Sequence, residues 1–386
     1  MTNKRILNTL FGTHHITSIL PGTALAVAVM LFSLFLADLL GSFFQSQFHL
    51  SKSPVSTFLL AILIGMIVRN VIRWPTVFLP GITFCVAKLL RLGIMFLGIR
   101  LSILAVAKIG AVAVLIVVFC IASGIAVSLL FARIFGVADR LGTLIAAGTG
   151  ICGVSAIIAT SPAIGAKEEE TAYAVSTITI FGLIATIAYP YLVEWVFGLD
   201  LGQAGLFLGT AVHDTAQVTG AAYIYDQLWA REVSQIAITT KLVRNTFLMV
   251  VVPLCAVLYA RRQKSLGDDE HKKINVMTLF PVFVLGFLGF ALFRSLGDVF
   301  ISKEDGFLFW RSADEWRVLT GTVADMAKYV LAVAIAGAGL STEFAKLKRL
   351  SMKPFFIGLL AAVTVGVVSY LLVTLFQGPI QNLIQY

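Results

Sequence analysis

Long apolar runs separated by short polar clusters dominate the chain. Eleven stretches hold about the twenty residues that a helix needs to cross a bilayer. Their approximate limits are 20–45, 54–73, 83–104, 109–132, 141–161, 171–197, 203–225, 233–260, 277–297, 318–341 and 354–377. The pattern predicts an all-α polytopic membrane protein of about 11 transmembrane helices. One run differs from the rest. Leu141–Ala166 is apolar but carries Gly142, Gly148, Gly150, Gly153 and Gly165, with Pro162 near its end. Backbone that leaves the helix at membrane depth must be buried in protein or line a wet cavity. Gly148 to Ser155 therefore reads as a helix break whose free N–H groups can hold an anion. Close packing of small residues is the competing reading.

A faint repeat supports the break. Ala147–Cys152 and Ala336–Ser341 share the pattern A-G-x-G-(Ile/Leu)-(Cys/Ser), five spans apart. That spacing predicts two inverted five-helix repeats with broken crossing helices, plus one extra N-terminal helix. The expected division is a single transporter domain over 1–386. Residues 1–52 form the extra helix, 53–198 the first repeat and 199–386 the second.

Composition strengthens the membrane assignment. Of 386 residues 59% are hydrophobic and 13% charged, and the mean hydropathy is +0.94. The formal net charge of +9 does not point to nucleic acid, because excess Lys and Arg mark cytoplasmic loops in such proteins. With the N-terminus inside, the inner segments hold 15 of these residues and the outer ones 7. This predicts a cytoplasmic N-terminus and an outside C-terminus, with basic loops near 261–273 and 346–353 inside. The N-terminus does not read as a cleavable signal peptide. Cys85, Cys120, Cys152 and Cys255 all lie in apolar runs, without the spacing of a disulfide framework or a metal site.

Charged side chains inside a span are expensive and are functional candidates by default. The seventh span carries His213 and Asp214, with Gln217 one turn further on. Histidine titrates near neutral pH, so His213 and Asp214 are candidates to carry a coupling proton. The eighth span carries Lys241 and Arg244, which suit an oxyanion or, alternatively, balance Asp214 or Asp325. Arg91 is the interior candidate of the third span. Asp325 and Lys328 read as a local ion pair. The candidate substrate site comprises Gly148, Thr149, Gly150, Cys152, Gly153, Ser155, Gln217, Lys241, Arg244, Arg91, Gly337, Gly339 and Ser341. No nucleotide-binding loop, hydrolase or zinc-protease motif is present. The chain is thus not expected to be an enzyme, and no cofactor or metal is expected.

Gly148 to Pro190 closely resembles the signature of the YeiH family of bacterial inner-membrane proteins, labelled as sulfate exporters. Leu208–Ala222, Thr240–Asn245 and Pro80–Ser102 are similar to further family motifs. The likeness covers nearly the whole chain. It implies kinship to carriers with two inverted five-helix repeats. The family often has Glu after the span-seven His, where this chain has Asp214. The combined expectation is a secondary transporter, an exporter of sulfate or a sulfonate, coupled to H+. It would lie in the bacterial inner membrane with the lipid bilayer as its main partner. A sodium-coupled (Na+) carrier of organic anions is the first alternative. An anion channel or a non-transporting scaffold is the second. Oligomeric state, a homo-oligomer included, is left open by the sequence.

Overall fold

The computed structural model describes residues 16–48, 56–72, 75–198, 200–264, 282–302, 312–343, 352–378 and 380. Helix is the only regular structure among them. In chain order they form α1 (Ile16–Phe48), α2 (Thr57–Val71), α3 (Thr76–Arg100) and α4 (Ile103–Ile134). Next come α5 (Asp139–Gly150), α6 (Val154–Thr160), α7 (Glu168–Phe197), α8 (Leu201–Ala211) and α9 (Thr215–Trp229). The remainder are α10 (Ser234–Thr246), α11 (Leu248–Lys264), α12 (Phe283–Ser302), α13 (Ala313–Ser341) and α14 (Met352–Leu375). The starts follow local chemistry. Ser56 accepts from the Leu59 amide, Asp200 from that of Gln203 and Ser312 from that of Glu315, each satisfying an amide left unpaired at a helix N-terminus.

Among the described residues, seven helices are individually long and apolar enough to cross a membrane. The pair α10 and α11, bent by 43°, makes an eighth. Within the described residues the eleven predicted runs fall on helices, but those at 54–73, 141–161, 203–225 and 233–260 are short or interrupted. Many large apolar side chains face outward, including Phe32 and Phe35 on α1, Leu115 and Phe119 on α4 and Val367 and Leu371 on α14. Hydrocarbon is the solvent that suits such surfaces. The basic loops predicted near 261–273 and 346–353 lie largely outside the described residues.

The chain divides into two compact units that interleave along the sequence. The first draws on Met1–Val106, Tyr223–Gln235 and Val282–Phe344. Here α13 packs on α2 and α3, α1 on α2 and the start of α3, and α12 on the end of α3. Arg69 pairs with Glu343 at 3.1 Å, and Ser56 donates to Gln227 Oε1 at 2.8 Å. This unit corrects one expectation. Helix α13 runs unbroken to Ser341, so Gly337 to Ser341 supply no interrupted backbone. Their glycines serve close approach instead. A Cβ on Gly339 would meet the Ile62 backbone, and one on Gly337 would sit 2.8 Å from Cys85 Cβ.

The second unit draws on Ala107–Ala222, Ile236–Pro281 and Ala345–Tyr386. Helix α5 packs on α7, α11 and α14, and α8 packs on α14 and α7. A cluster of Val117, Ile121, Ala146, Ile151, Val251 and Val252 fills the space among α4, α5 and α11. Ser369 of α14 lies 2.6 Å from Thr210 Oγ1 of α8, and Gln203 Nε2 of α8 donates to the Val373 carbonyl of α14 at 3.3 Å.

Candidate functional site

Two helix breaks come together inside the second unit. The first separates α5 from α6. Gly150 ends α5, Ile151 to Gly153 leave the helix, and α6 restarts at Val154. Gly153 has φ +65°, in the left-handed region that glycine adopts without a Cβ penalty. Its amide donates back to the Gly148 carbonyl at 3.0 Å. Gly148, Thr149 and Gly150 form the last turn before this break, Cys152 lies within it, and Ser155 is exposed just beyond.

The second break lies within the seventh predicted run, which the hydropathy pattern reads as continuous. Helix α8 ends at Ala211 and α9 starts at Thr215, leaving Val212, His213 and Asp214 between them. Asp214 caps α9: its Oδ1 accepts from the Ala216 amide at 2.9 Å. Gln217 reaches back, its Oε1 accepting from the Asp214 amide at 3.3 Å. This reciprocal pair is a capping box. The spacing Asp214-x-x-Gln217 is the sequence signal that marks it. The Gln217 amide nitrogen also donates to the Thr179 carbonyl of α7 at 3.2 Å.

Lys241 and Arg244 tie the two breaks together. Both are fully buried. Lys241 Nζ donates to the carbonyls of Ile151 and Val212, each at 3.0 Å, and to that of His213. Arg244 donates from Nε to the Gly150 carbonyl at 3.1 Å, from Nη2 to that of Thr149 at 2.6 Å, and from Nη1 to that of Thr210. Every one of these acceptors lies at or just past the C-terminal end of α5 or α8. Such ends leave carbonyls unpaired and carry about half a negative charge each. The two cations therefore satisfy the backbone that the breaks expose. Neither forms an ion pair with Asp214 among the described residues.

The remaining groups beside the breaks differ in access. Asp214 and Gln217 are half-buried, and Ser155 is exposed. A Cβ on Gly153 would lie 3.4 Å from Asp214 Cβ, so the first break abuts the cap of the second. His213 is 2% exposed, and neither ring nitrogen makes a hydrogen bond of normal geometry among the described residues. Asn245 places Nδ2 3.2 Å from Thr215 Oγ1, while its buried Oδ1 has no partner among the described residues. Thr210, Thr215 and Asn245 fall within the motifs Leu208–Ala222 and Thr240–Asn245, but the pattern assigns them no role of their own, and Ser369 lies in an apolar run with no motif around it. Arg91, Gly337, Gly339 and Ser341 belong to the first unit. There Arg91 is exposed and lies 5.8 Å from the Phe283 ring centroid. No cluster of metal-ligating side chains occurs among the described residues.

Comparison with known proteins places this architecture. Residues 21–373 match the profile of a family described as conserved hypothetical protein 698. The chain belongs to this family, UPF0324. A UPF0324 membrane protein of Bacillus cereus is 34% identical over 314 residues, covering 81% of this chain and 85% of the relative. One from Nitratidesulfovibrio vulgaris is 32% identical over 351 residues, covering 89% of each. One from Bacteroides thetaiotaomicron is 31% identical over 327 residues, covering 84% of this chain and 90% of the relative. The YeiH family, whose motifs the sequence resembles, is this same family. UPF0324 relatives are named as membrane proteins, in keeping with the apolar helices of this chain. No solved structure matches it.

Proposed function

We propose that the protein is a secondary transporter that exports a small anion, sulfate or a sulfonate, in exchange for protons across the bacterial inner membrane. In this reading the chain crosses the membrane eleven times with its N-terminus in the cytoplasm. The observation that carries the proposal is the pair of helix breaks cross-linked by Lys241 and Arg244. Interrupted helices at membrane depth are the usual site of substrate and coupling ions in carriers. A rigid scaffold has no need of them.

In this reading the candidates divide the labour. Lys241 and Arg244 act from behind, holding the broken backbone and keeping the local potential positive. Ser155, Asp214 and Gln217 are the accessible polar groups, and they form the contact surface. Gly153 brings no side chain to the start of α6, and in this reading the amides of Val154 and Ser155 face the anion. Buried His213 sits beside the Lys241 ammonium, which bonds its carbonyl, so in this reading it takes up a proton only once a conformational change opens the site. Asp214 is its nearest neighbour in the chain.

Flux in proteoliposomes tests the reading. Radiolabelled sulfate, or a labelled short alkanesulfonate, should move when a pH gradient is imposed and should stop when the gradient is collapsed. Absence of flux for every anion tried, in both directions and from pH 5 to pH 9, would overturn it. Sodium coupling is the second reading, favoured by the unpartnered Asn245 Oδ1 beside Thr215. A flux that needs Na⁺ and is lost in Asn245→Ala would select it.

A further inference from the structure

The first unit holds a cavity of about 770 Å³ that the proposed transport site does not use. It lies where the last turn of α3, the α9–α10 turn, the C-terminal half of α12 and the first half of α13 meet. Five cations line it: Arg100, Arg231, Arg294, Arg317 and Lys328. Three carboxylates accompany them, Asp226, Glu232 and Asp325, so the lining is net positive.

The charges are unequally available. Glu232 is engaged by Arg100 and accepts from Gln235 Nε2 at 2.8 Å. Asp226 is built into the turn before α10, accepting from the amides of Val233 at 2.7 Å and Ser234 at 3.2 Å. Two of the three carboxylates are thus already satisfied. Among the cations, Arg100 is taken up by Glu232 and Arg231 donates to the Tyr225 hydroxyl at 3.0 Å, which leaves Arg294, Arg317 and Lys328. Arg294 is fixed by Asp298 at 2.7 Å, and Asp298 is held in turn by Trp316 Nε1 at 2.7 Å. Arg317 has only a loose contact with Asp314 at 3.8 Å, with both side chains largely exposed. Lys328 has no ion-pair partner among the described residues, and the local pair with Asp325 expected from sequence is not formed.

A concave wall of one predominant sign concentrates counter-ions, and guanidinium groups match planar or tetrahedral oxyanions well. The volume falls within the range of small-molecule sites, about 300–1,000 Å³. We propose that this cavity binds an oxyanion through Arg317 and Lys328, with Arg294 as a fixed third donor. The ligand is a free sulfate or phosphate, or the phosphate of an anionic lipid.

The test uses the full chain purified in a neutral detergent. Calorimetric titration with sodium sulfate and with sodium phosphate reports the free anion. Native mass spectrometry of protein carrying phosphatidylglycerol reports the lipid. Binding at this cavity is expected from one source at one ligand per chain, read as the part of the binding that the Arg317 and Lys328 variants lose. Replacing Arg317 and Lys328 together by Gln should weaken it at least about tenfold, which corresponds to losing one charge-assisted hydrogen bond. Asp325→Asn should tighten it. All three side chains are exposed, so an unchanged melting temperature should confirm intact folding. Lys328→Gln alone, expected to weaken binding several-fold, serves if the double variant is unstable. Wild-type affinity in these variants, or no binding from either source, overturns the proposal. The cavity and the transport site fail separately: Asp214→Asn should abolish flux while leaving this affinity unchanged.

Discussion

Lys241 has three N–H donors and three backbone carbonyls to receive them. Substituting Met keeps the apolar stem but leaves those carbonyls buried and unpaired, on both sides of the site. A buried polar group left without its partner costs about 1–3 kcal/mol. Lys241→Met should therefore lower the melting temperature of the purified protein markedly, by thermal unfolding in detergent. Asp214 makes the opposite test. Asparagine caps helices about as well as aspartate, so Asp214→Asn should change stability by less than about 1 kcal/mol. If the carboxylate serves coupling, the same substitution abolishes proton-driven flux. Wild-type flux in a stable Asp214→Asn protein would remove Asp214 from the mechanism.

Helices ask a different question of the sequence: where glycine breaks a helix and where it lets two helices touch. At Gly153 the backbone lies at φ +65° and ψ −118°, a conformation that costs a residue with a Cβ about 1–3 kcal/mol. Gly153→Ala should therefore destabilise the protein and blunt transport, as read by thermal unfolding and flux. Gly339 stands at a packed contact instead. Gly339→Val should push α13 off the Ile62 backbone and destabilise the first unit through packing, without a direct effect on the breaks. The sequence pattern made the α5–α6 break legible, because five glycines and a proline crowd one apolar run. It misread Gly337 to Ser341, since the same A-G-x-G string fits a close crossing equally well. Only the neighbours, Cys85 and Ile62, decide between them. The break at Val212–Asp214 was hidden by a run apolar enough to read through, although the Asp-x-x-Gln cap was there to be found. Lys241 and Arg244 were legible as buried cations. Their partners were not, because backbone carbonyls have no sequence signature.

Among the described residues many large apolar side chains face outward, as a bilayer allows, while Lys241, Arg244 and His213 are buried. The four cysteines are at most 4% exposed, whereas Ser155 is exposed at the break. A water-soluble maleimide should label the native wild type slowly and Ser155→Cys much faster, as followed by mass. Equal rates would mean that water does not reach the break. The cross-link between the breaks also bears on how the protein is made. The carbonyls of Thr149, Gly150 and Ile151 find their donors about ninety residues downstream, on α10. A nascent chain that has inserted α5 but not yet α10 must keep those groups hydrated or lodged in the insertion machinery. The α5–α6 break can take its final form only after residue 244 has entered the membrane. Chains truncated before α10 should be recognised as incomplete and degraded, even though most of their apolar helices are already in place.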